Sequence, residues 1–74
     1  MKIRYFPETD TIYMELTDRK VAETVDLNEN TLVDLDEKGN VVAITLEHAS
    51  ESTVVDEFSF QRVTSTASEK VTAV

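Results

Sequence analysis

The chain of 74 residues contains no cysteine and no tryptophan, and it has one histidine, one glycine and one proline. Without cysteine there can be no disulfide, no thiolate nucleophile and no cysteine-based zinc site, and one histidine cannot build a site of several imidazoles. A domain this small usually gains stability from a disulfide, a metal, unusually good packing or a partner subunit. The composition therefore predicts a homodimer or an obligate complex, without metal or cofactor.

Positive charge is also scarce, because 7 lysines and arginines stand against 15 aspartates and glutamates, for a net charge of −8. Nucleic acids and anionic membranes are bound through positive charge, so neither is expected as a direct partner. The acids are spread from Glu8 to Glu69 and do not form a block. Two interpretations remain open: a solvated surface, or a docking face for a basic protein.

Long apolar runs are missing as well. No stretch approaches the ~20 residues that a membrane span needs. The opening "MKIRYFPETD" lacks the apolar stretch of a signal peptide. We therefore expect a cytoplasmic protein.

What the sequence does contain is an alternation of polar and apolar residues, which is typical of half-buried strands. Short polar connections such as "PETD", "DRK" and "NEN" separate the alternating segments. The pattern predicts five strands in an antiparallel meander, at residues 2–6, 11–17, 21–27, 31–36 and 41–48. The third is the expected edge strand, because Glu23 interrupts its apolar side and an inward charge discourages pairing between edges.

The pattern changes after Ser50. Residues 50–63, "SESTVVDEFSFQRV", fit either a short helix capped by Ser50 or Ser52, which is favoured, or a strand. The last residues, 64–74, are small and polar and predict a flexible tail. The expected fold is thus α+β and mainly β: a five-stranded antiparallel meander with a short C-terminal helix or strand, in one domain over residues 1–63.

The connection before the last strand presents a conflict of register. Gly39 predicts a left-handed residue that closes a three-residue loop with a bulge, which places Leu35 opposite Val41. If the apolar stripe that begins at Val42 faces the same way as Leu35, Leu35 must instead lie opposite Val42. The bulged alternative leaves both faces of the sheet partly apolar, so that both need cover.

Three motifs suggest chemistry, and each is weak. Asp34, Asp36 and Gly39 are spaced like the start of a calcium loop, but Lys38 and Thr45 occupy positions where oxygen ligands are required. The prediction is a turn and no metal site.

His48 and Ser50, two residues apart, would share one side of a strand, and Asp34 and Asp36 form a carboxylate pair. Nucleophilic catalysis also needs an oriented base, an oxyanion hole and a cleft, and nothing in the sequence supplies these. We therefore predict that the protein is not an enzyme. The alternative is a small enzyme or ligand-binding protein with a site at a dimer interface around His48, Ser50 and the Asp34/Asp36 pair.

The large side chains suggest where a partner could bind. Aromatic residues dominate the cores and the interfaces of small proteins. The candidates for a partner or dimer interface are Tyr5, Tyr13, Leu32, Val41, Phe58 and Phe60.

The segments "KIRYFPETDTIYMEL" and "DLDEKGNVVAITLEHAS" resemble the small bacterial family catalogued as domain of unknown function 2283. Its patterns are Tyr-x-x-x-x-Asp-x-Leu-Tyr-Ile and, later, Asp-x-Asp-x-x-Gly-x-Val-x-Gly-Ile-x-Ile-x-x-Ala-Ser. The matching residues are Tyr5, Asp10, Ile12, Tyr13, Met14, Asp34, Asp36, Gly39, Val41, Ile44, Leu46, Ala49 and Ser50. Ala43 stands where the family usually has glycine.

The resemblance covers residues 1–50, and the family has no established enzymatic activity and no catalytic residues that could be carried over to this chain. Some members look like the antitoxin half of two-gene toxin–antitoxin pairs. Together with the charge, this implies a non-enzymatic acidic binding module that neutralises a basic partner, with an antitoxin-like role as its specific form.

Overall fold

The computed structural model describes residues 1–64, which form one five-stranded antiparallel sheet followed by a single helical turn. The elements are β1 Lys2–Phe6, β2 Thr11–Glu15, β3 Glu23–Asn28, β4 Thr31–Leu35, β5 Val41–Glu47 and α1 Ala49–Ser52. The mainly β fold with a short C-terminal helix is confirmed. The predicted tail, apart from Thr64, lies outside the described residues.

The order of the strands is β1-β2-β5-β4-β3, so the sheet is not a simple meander. The meander was wrong at one connection: after β2 the chain crosses to the far edge, and β5 returns to pair with both β2 and β4. β5 lies at the centre of the sheet and carries its two most buried strand residues, Val42 and Ala43. The connection was taken for a tight turn, but it runs over residues 16–22. Its ends are held by hydrogen bonds from Leu16 N to Val42 O (2.8 Å) and from Ala22 N to Leu35 O (2.8 Å).

β3 is an edge strand, as predicted, and all six of its residues are exposed. Besides Glu23 it carries a second edge-protecting device, a register shift between Asp26 and Asn28. A bulge at an edge twists the strand away from flat pairing with another chain.

The register places one apolar row across all five strands. Its members are Ile3, Met14, Ile44, Val33 and Val25. The next row on the same side consists of Tyr5, Ile12, Leu46, Thr31 and Asn28. We call the side with these two rows the apolar face.

The opposite side, here the polar face, also carries two continuous rows. The first consists of Arg4, Tyr13, Thr45, Leu32 and Asp26, and the second of Lys2, Glu15, Ala43, Asp34 and Thr24. Side-chain contacts follow these rows. Arg4 forms a salt bridge with Glu15 at 3.3 Å and lies over the ring of Tyr13. The Thr24 hydroxyl donates a hydrogen bond to Asp34 at 2.7 Å.

The register conflict at the β4–β5 hairpin is resolved by a bulge in β5. Gly39 has φ +85°, and its N–H donates to Asp36 O at 3.0 Å, which closes the three-residue loop. This loop sets Leu35 opposite Val41, while Val33 lies opposite Ile44. The extra residue is Val42, which is almost fully buried. The register that the apolar stripe requires therefore holds from Thr31 to Asp34, and the register that the turn requires holds at Leu35.

The core is thin. Among residues 1–64 no large side chain is fully buried, and the buried apolar residues are Val42, Ala43 and Ala49. Ala43 is 0% exposed, so the methyl group that replaces the family's usual glycine is accommodated inside the sheet.

The helix predicted over residues 50–63 is wrong beyond its first turn, since α1 ends at Ser52 and no strand replaces it in residues 53–64. Thr53 is already extended (φ −139°), and the β-branched residues that follow it resist helix formation. No helix in the described part of the chain is long and apolar enough to cross a membrane.

Candidate functional site

The carboxylate of Asp10 joins the first hairpin to the helical turn, and we call the contacts of Tyr5, Asp10, Ala49 and Ser50 the Asp10 clasp. The Tyr5 hydroxyl donates to Oδ1 of Asp10 at 2.7 Å, and the Ser50 hydroxyl donates to Oδ2 at 2.7 Å. The Ser50 N–H donates to the same carboxylate at 3.0 Å, and the Ala49 N–H donates to the Asp10 carbonyl at 2.9 Å. Asp10 thus satisfies N–H groups at the start of α1 from 40 positions away.

These hydrogen bonds change the acidity of the two titratable groups in opposite directions. Donation by Tyr5, and then by Ser50, lowers the pKa of Asp10 because it stabilises the carboxylate. The same hydrogen bond to Asp10, assisted by burial, raises the pKa of Tyr5 because it stabilises the neutral phenol. The clasp therefore pairs one carboxylate with two hydroxyl donors, and each hydrogen bond favours the charged form of Asp10 and the neutral form of Tyr5.

Two residues at the clasp have left-handed backbones. Asp10 has φ 55° and His48 has φ 56°, in a region that asparagine, aspartate and histidine enter more readily than other residues with a Cβ. The hydrogen bonds of both side chains hold this conformation. Here it aims the Asp10 carbonyl at α1 and turns the chain from β5 into the helical turn.

His48 is held by a residue that the sequence reasoning missed. Nδ1 of His48 lies 3.0 Å from Oδ1 of Asn30, which leaves the imidazole as the donor, and Glu47 N donates to the Asn30 carbonyl at 2.7 Å. Asn30 belongs to the β3–β4 connection and is 18 residues away in sequence. No local pattern indicates this pairing, which follows from β4 lying beside β5.

The four residues of the alternative hypothesis do not form one site. The His48 ring is hydrogen-bonded to Asn30, and the Ser50 hydroxyl donates to Asp10. On the polar face, Asp34 accepts a hydrogen bond from the Thr24 hydroxyl. Asp36 belongs to the β4–β5 connection. The dyad of His48 with Ser50 is therefore not assembled, because the left-handed residue between strand and helix sends the two side chains to different partners.

Asp36 organises the glycine turn. Its Oδ1 accepts from the backbone N–H groups of Asn40 (2.8 Å) and Lys38 (2.9 Å), and its Oδ2 lies 3.0 Å from Nε of Arg19. The hydrogen bond from Asn40 is the largest cause of its lowered pKa, although burial opposes it. Asp36 is only 9% exposed, so its oxygens are already occupied within the protein. The turn interpretation of the calcium-like motif follows, and the described residues contain no group of three or more acids or histidines placed to hold a metal.

The polar face carries the other feature of functional interest. Tyr13 and Leu32, both half-buried, flank Thr45 at its centre, in the row that ends at Asp26. Acids surround this centre on three strands: Glu47, Asp34 and Asp26. An apolar centre with a charged rim is the usual anatomy of a protein interface.

The six candidate interface residues divide between the two faces. Tyr13 and Leu32 lie on the polar face, whereas Tyr5 lies on the apolar face. Phe58 and Phe60 line a cavity of about 310 Å³ with Ile3 and so belong to the apolar side. Val41 lies opposite Leu35 at the bulge.

The geometry defines a class: a small single-sheet antiparallel β protein whose first hairpin is clasped to a one-turn helix by an aspartate. Residues 2–50, which hold all five strands and the first two helical residues, match the family described as "Protein of unknown function (DUF2283)". The chain belongs to this family, as the resemblance indicated. Searches of curated proteins and of solved structures found no match.

The family pattern acquires a physical explanation in this fold. Tyr5, Asp10, Ala49 and Ser50, which open and close the two motifs, meet in the Asp10 clasp. Asp36 and Gly39 build the hairpin turn. These motif residues thus take part in closing the sheet.

Proposed function

We propose that the protein is a non-enzymatic binding module whose polar face docks a basic protein. The observation that carries the proposal is the arrangement of Asp26, Asp34 and Glu47 around a half-buried Tyr13 and Leu32. The three carboxylates supply the field that steers a cationic partner, and the two large side chains supply the area that holds it.

The basic side chains on β1, at one side of the same face, would set the orientation of the docked partner. Arg4 is paired with Glu15 and stacked over Tyr13, and Lys2 lies beside it on the edge strand. The cations of this face therefore lie on β1, where Glu15 of β2 offsets Arg4, and the carboxylates Glu47, Asp34 and Asp26 lie on β5, β4 and β3. A basic partner would be drawn to the negative side and kept away from β1, because like charges placed opposite each other are unfavourable.

An antitoxin-like role is the specific form of this proposal. A ribonuclease-like toxin binds RNA phosphates in a basic cleft, and a face of carboxylates can occupy such a cleft in place of the phosphates. The module would neutralise the enzyme by covering the cleft, which needs no catalytic group of its own.

The test compares two triple variants with the same change in net charge. The first is Asp26→Asn/Asp34→Asn/Glu47→Gln on the polar face, and the second neutralises the exposed acids Glu8, Glu37 and Glu51 outside the strands. Each protein is immobilised and exposed to a lysate of the native organism at low salt. We expect the native chain and the second variant to retain the same basic protein, and the first variant to lose it.

Salt and activity complete the test. Binding should weaken steeply with ionic strength, since exposed charges are screened beyond about 8 Å at physiological salt. If the partner cleaves RNA, stoichiometric addition of the native chain should stop the cleavage. Recovery of no basic protein, or equal recovery by the two variants, would refute docking on this face.

A further inference from the structure

We infer that the apolar face is the interface between two copies of this chain. A sheet that is apolar on one side needs a second layer to bury that side. Here the second layer is incomplete, because no member of the apolar row from Ile3 to Val25 is buried and Val25 remains 38% exposed. The proposal concerns the side opposite to the docking face and does not depend on that function.

The segment after α1 covers one half of the apolar face and brings its own exposed apolar groups. Part of this segment, residues 53–55, 57 and 58, lines an open cavity of about 410 Å³ against β1, β2 and β5, which is also lined by Ile3, Ile12 and Met14. This cavity shares Ile3 and Phe58 with the smaller cavity that Phe60 lines. The two cavities therefore adjoin and form one apolar region. From this region the apolar row continues across the sheet through Ile44 and Val33 to β3.

The exposed area matches what a dimer requires. Phe58 is 65% exposed and Phe60 is 72% exposed. With Met1, Val54 and Val25, they leave roughly 300–550 Å² of apolar surface in water, taking about 150–250 Å² for a buried aromatic side chain and proportionately less for the others. A standard interface buries about 800 Å² on each partner, of which somewhat more than half is apolar.

Charge directs a second copy to the apolar face and away from the polar face. Two chains that each carry −8 repel each other, so they can associate only where carboxylates are few. Of the five acids on the strands, four lie on the polar face, and Glu23 alone shares the apolar face, at the end of β3. Glu57 is the acid that lines the larger cavity. A twofold dimer through the apolar face completes the missing layer of both chains and leaves both polar faces outward.

The experiment measures the mass of the full chain in solution by sedimentation equilibrium over roughly 1 to 100 μM, a range that brackets micromolar dissociation. We expect a dimer of twice the chain mass of 8.3 kDa. Phe60→Asp and Val25→Glu should each weaken association by about tenfold or more, because each places a charge in the interface. Phe6→Asp is the control, since Phe6 is exposed and paired with Thr11 on the other face.

Far-UV circular dichroism checks that each variant keeps its strands. If Val25→Glu does not fold, Phe60→Asp decides, because Phe60 lies in the irregular segment outside the sheet. A native chain that remains at 8.3 kDa throughout the range overturns the inference. So does a dimer that survives Phe60→Asp or that Phe6→Asp disrupts equally.

Discussion

Replacement of Gly39 isolates the contribution of backbone conformation to the stability of this sheet. Gly39 has φ +85°, and a Cβ added there would meet no atom within 4 Å. The cost of Gly39→Ala is therefore purely conformational, about 1–2 kcal/mol for a residue with a Cβ in the left-handed region. The reduced freedom of the unfolded chain returns about 0.4–1 kcal/mol, which leaves a net loss of about 1 kcal/mol.

For a domain of this size, 1 kcal/mol lowers the melting temperature by about 4–8 °C. Thermal unfolding followed by circular dichroism measures the shift, at one protein concentration because association would make it concentration-dependent. Gly39→Asn is the matched variant: asparagine tolerates the left-handed region, so its loss should be distinctly smaller than that of Gly39→Ala. An unchanged melting temperature for Gly39→Ala, or equal losses for the two variants, would refute the reasoning.

Three further predictions concern the clasp, the centre of the sheet and pH. Asp10→Asn and Ser50→Ala should each lower the melting temperature, and the double variant should lose less than the sum, because both change the same contact between the Ser50 hydroxyl and the side chain of residue 10; additive losses would show that the two residues act independently. Ala43→Leu should cost about 1–3 kcal/mol in urea unfolding, because Ala43 is completely buried; a cost near zero would show that the sheet can open there. The lowered pKa values of Asp10 and Asp36 contribute stability that is complete above the ordinary value of 3.8 and is lost as pH falls through the pKa values of the folded state. The raised pKa of Tyr5 contributes stability that is complete below pH 10.0 and is lost as pH rises through its pKa in the folded state. Urea unfolding from pH 2 to 5 should therefore show a smaller pH dependence for Asp36→Asn than for the native chain, and equal dependence would contradict the role assigned to this carboxylate.

The strands were predictable because their information is local. Alternation of side chains identified all five, and Glu23 correctly marked β3 as an edge. The order of the strands was not predictable from alternation, because alternation shows which residues form strands and not which strands pair with each other. The crossing from β2 to β3 depends on hydrogen bonds to the carbonyls of Val42 and Leu35, and these partners are distant in sequence.

The hairpin shows how two correct local arguments can conflict. Turn chemistry at Gly39 required one register, and the apolar stripe from Val42 required another. A bulge satisfies both, because one extra residue in β5 shifts the pairing between Asp34 and Leu35. The sequence contained both requirements, and only their position relative to each other in space was missing.

The Asp10 clasp changes where function should be sought in this family. Ser50, a carboxylate and a histidine lie near one end of the sheet, and such residues could suggest a catalytic group. Yet Ser50 donates to Asp10, Tyr5 donates to the same carboxylate, and His48 is turned to Asn30. A nucleophile needs a base that accepts its proton, and here the proton of Ser50 is directed at a carboxylate whose pKa those very hydrogen bonds lower. Because the motif residues are thus occupied in closing the fold, we propose the two faces of the sheet as the recognition surfaces, one carrying Asp26, Asp34 and Glu47 and the other apolar.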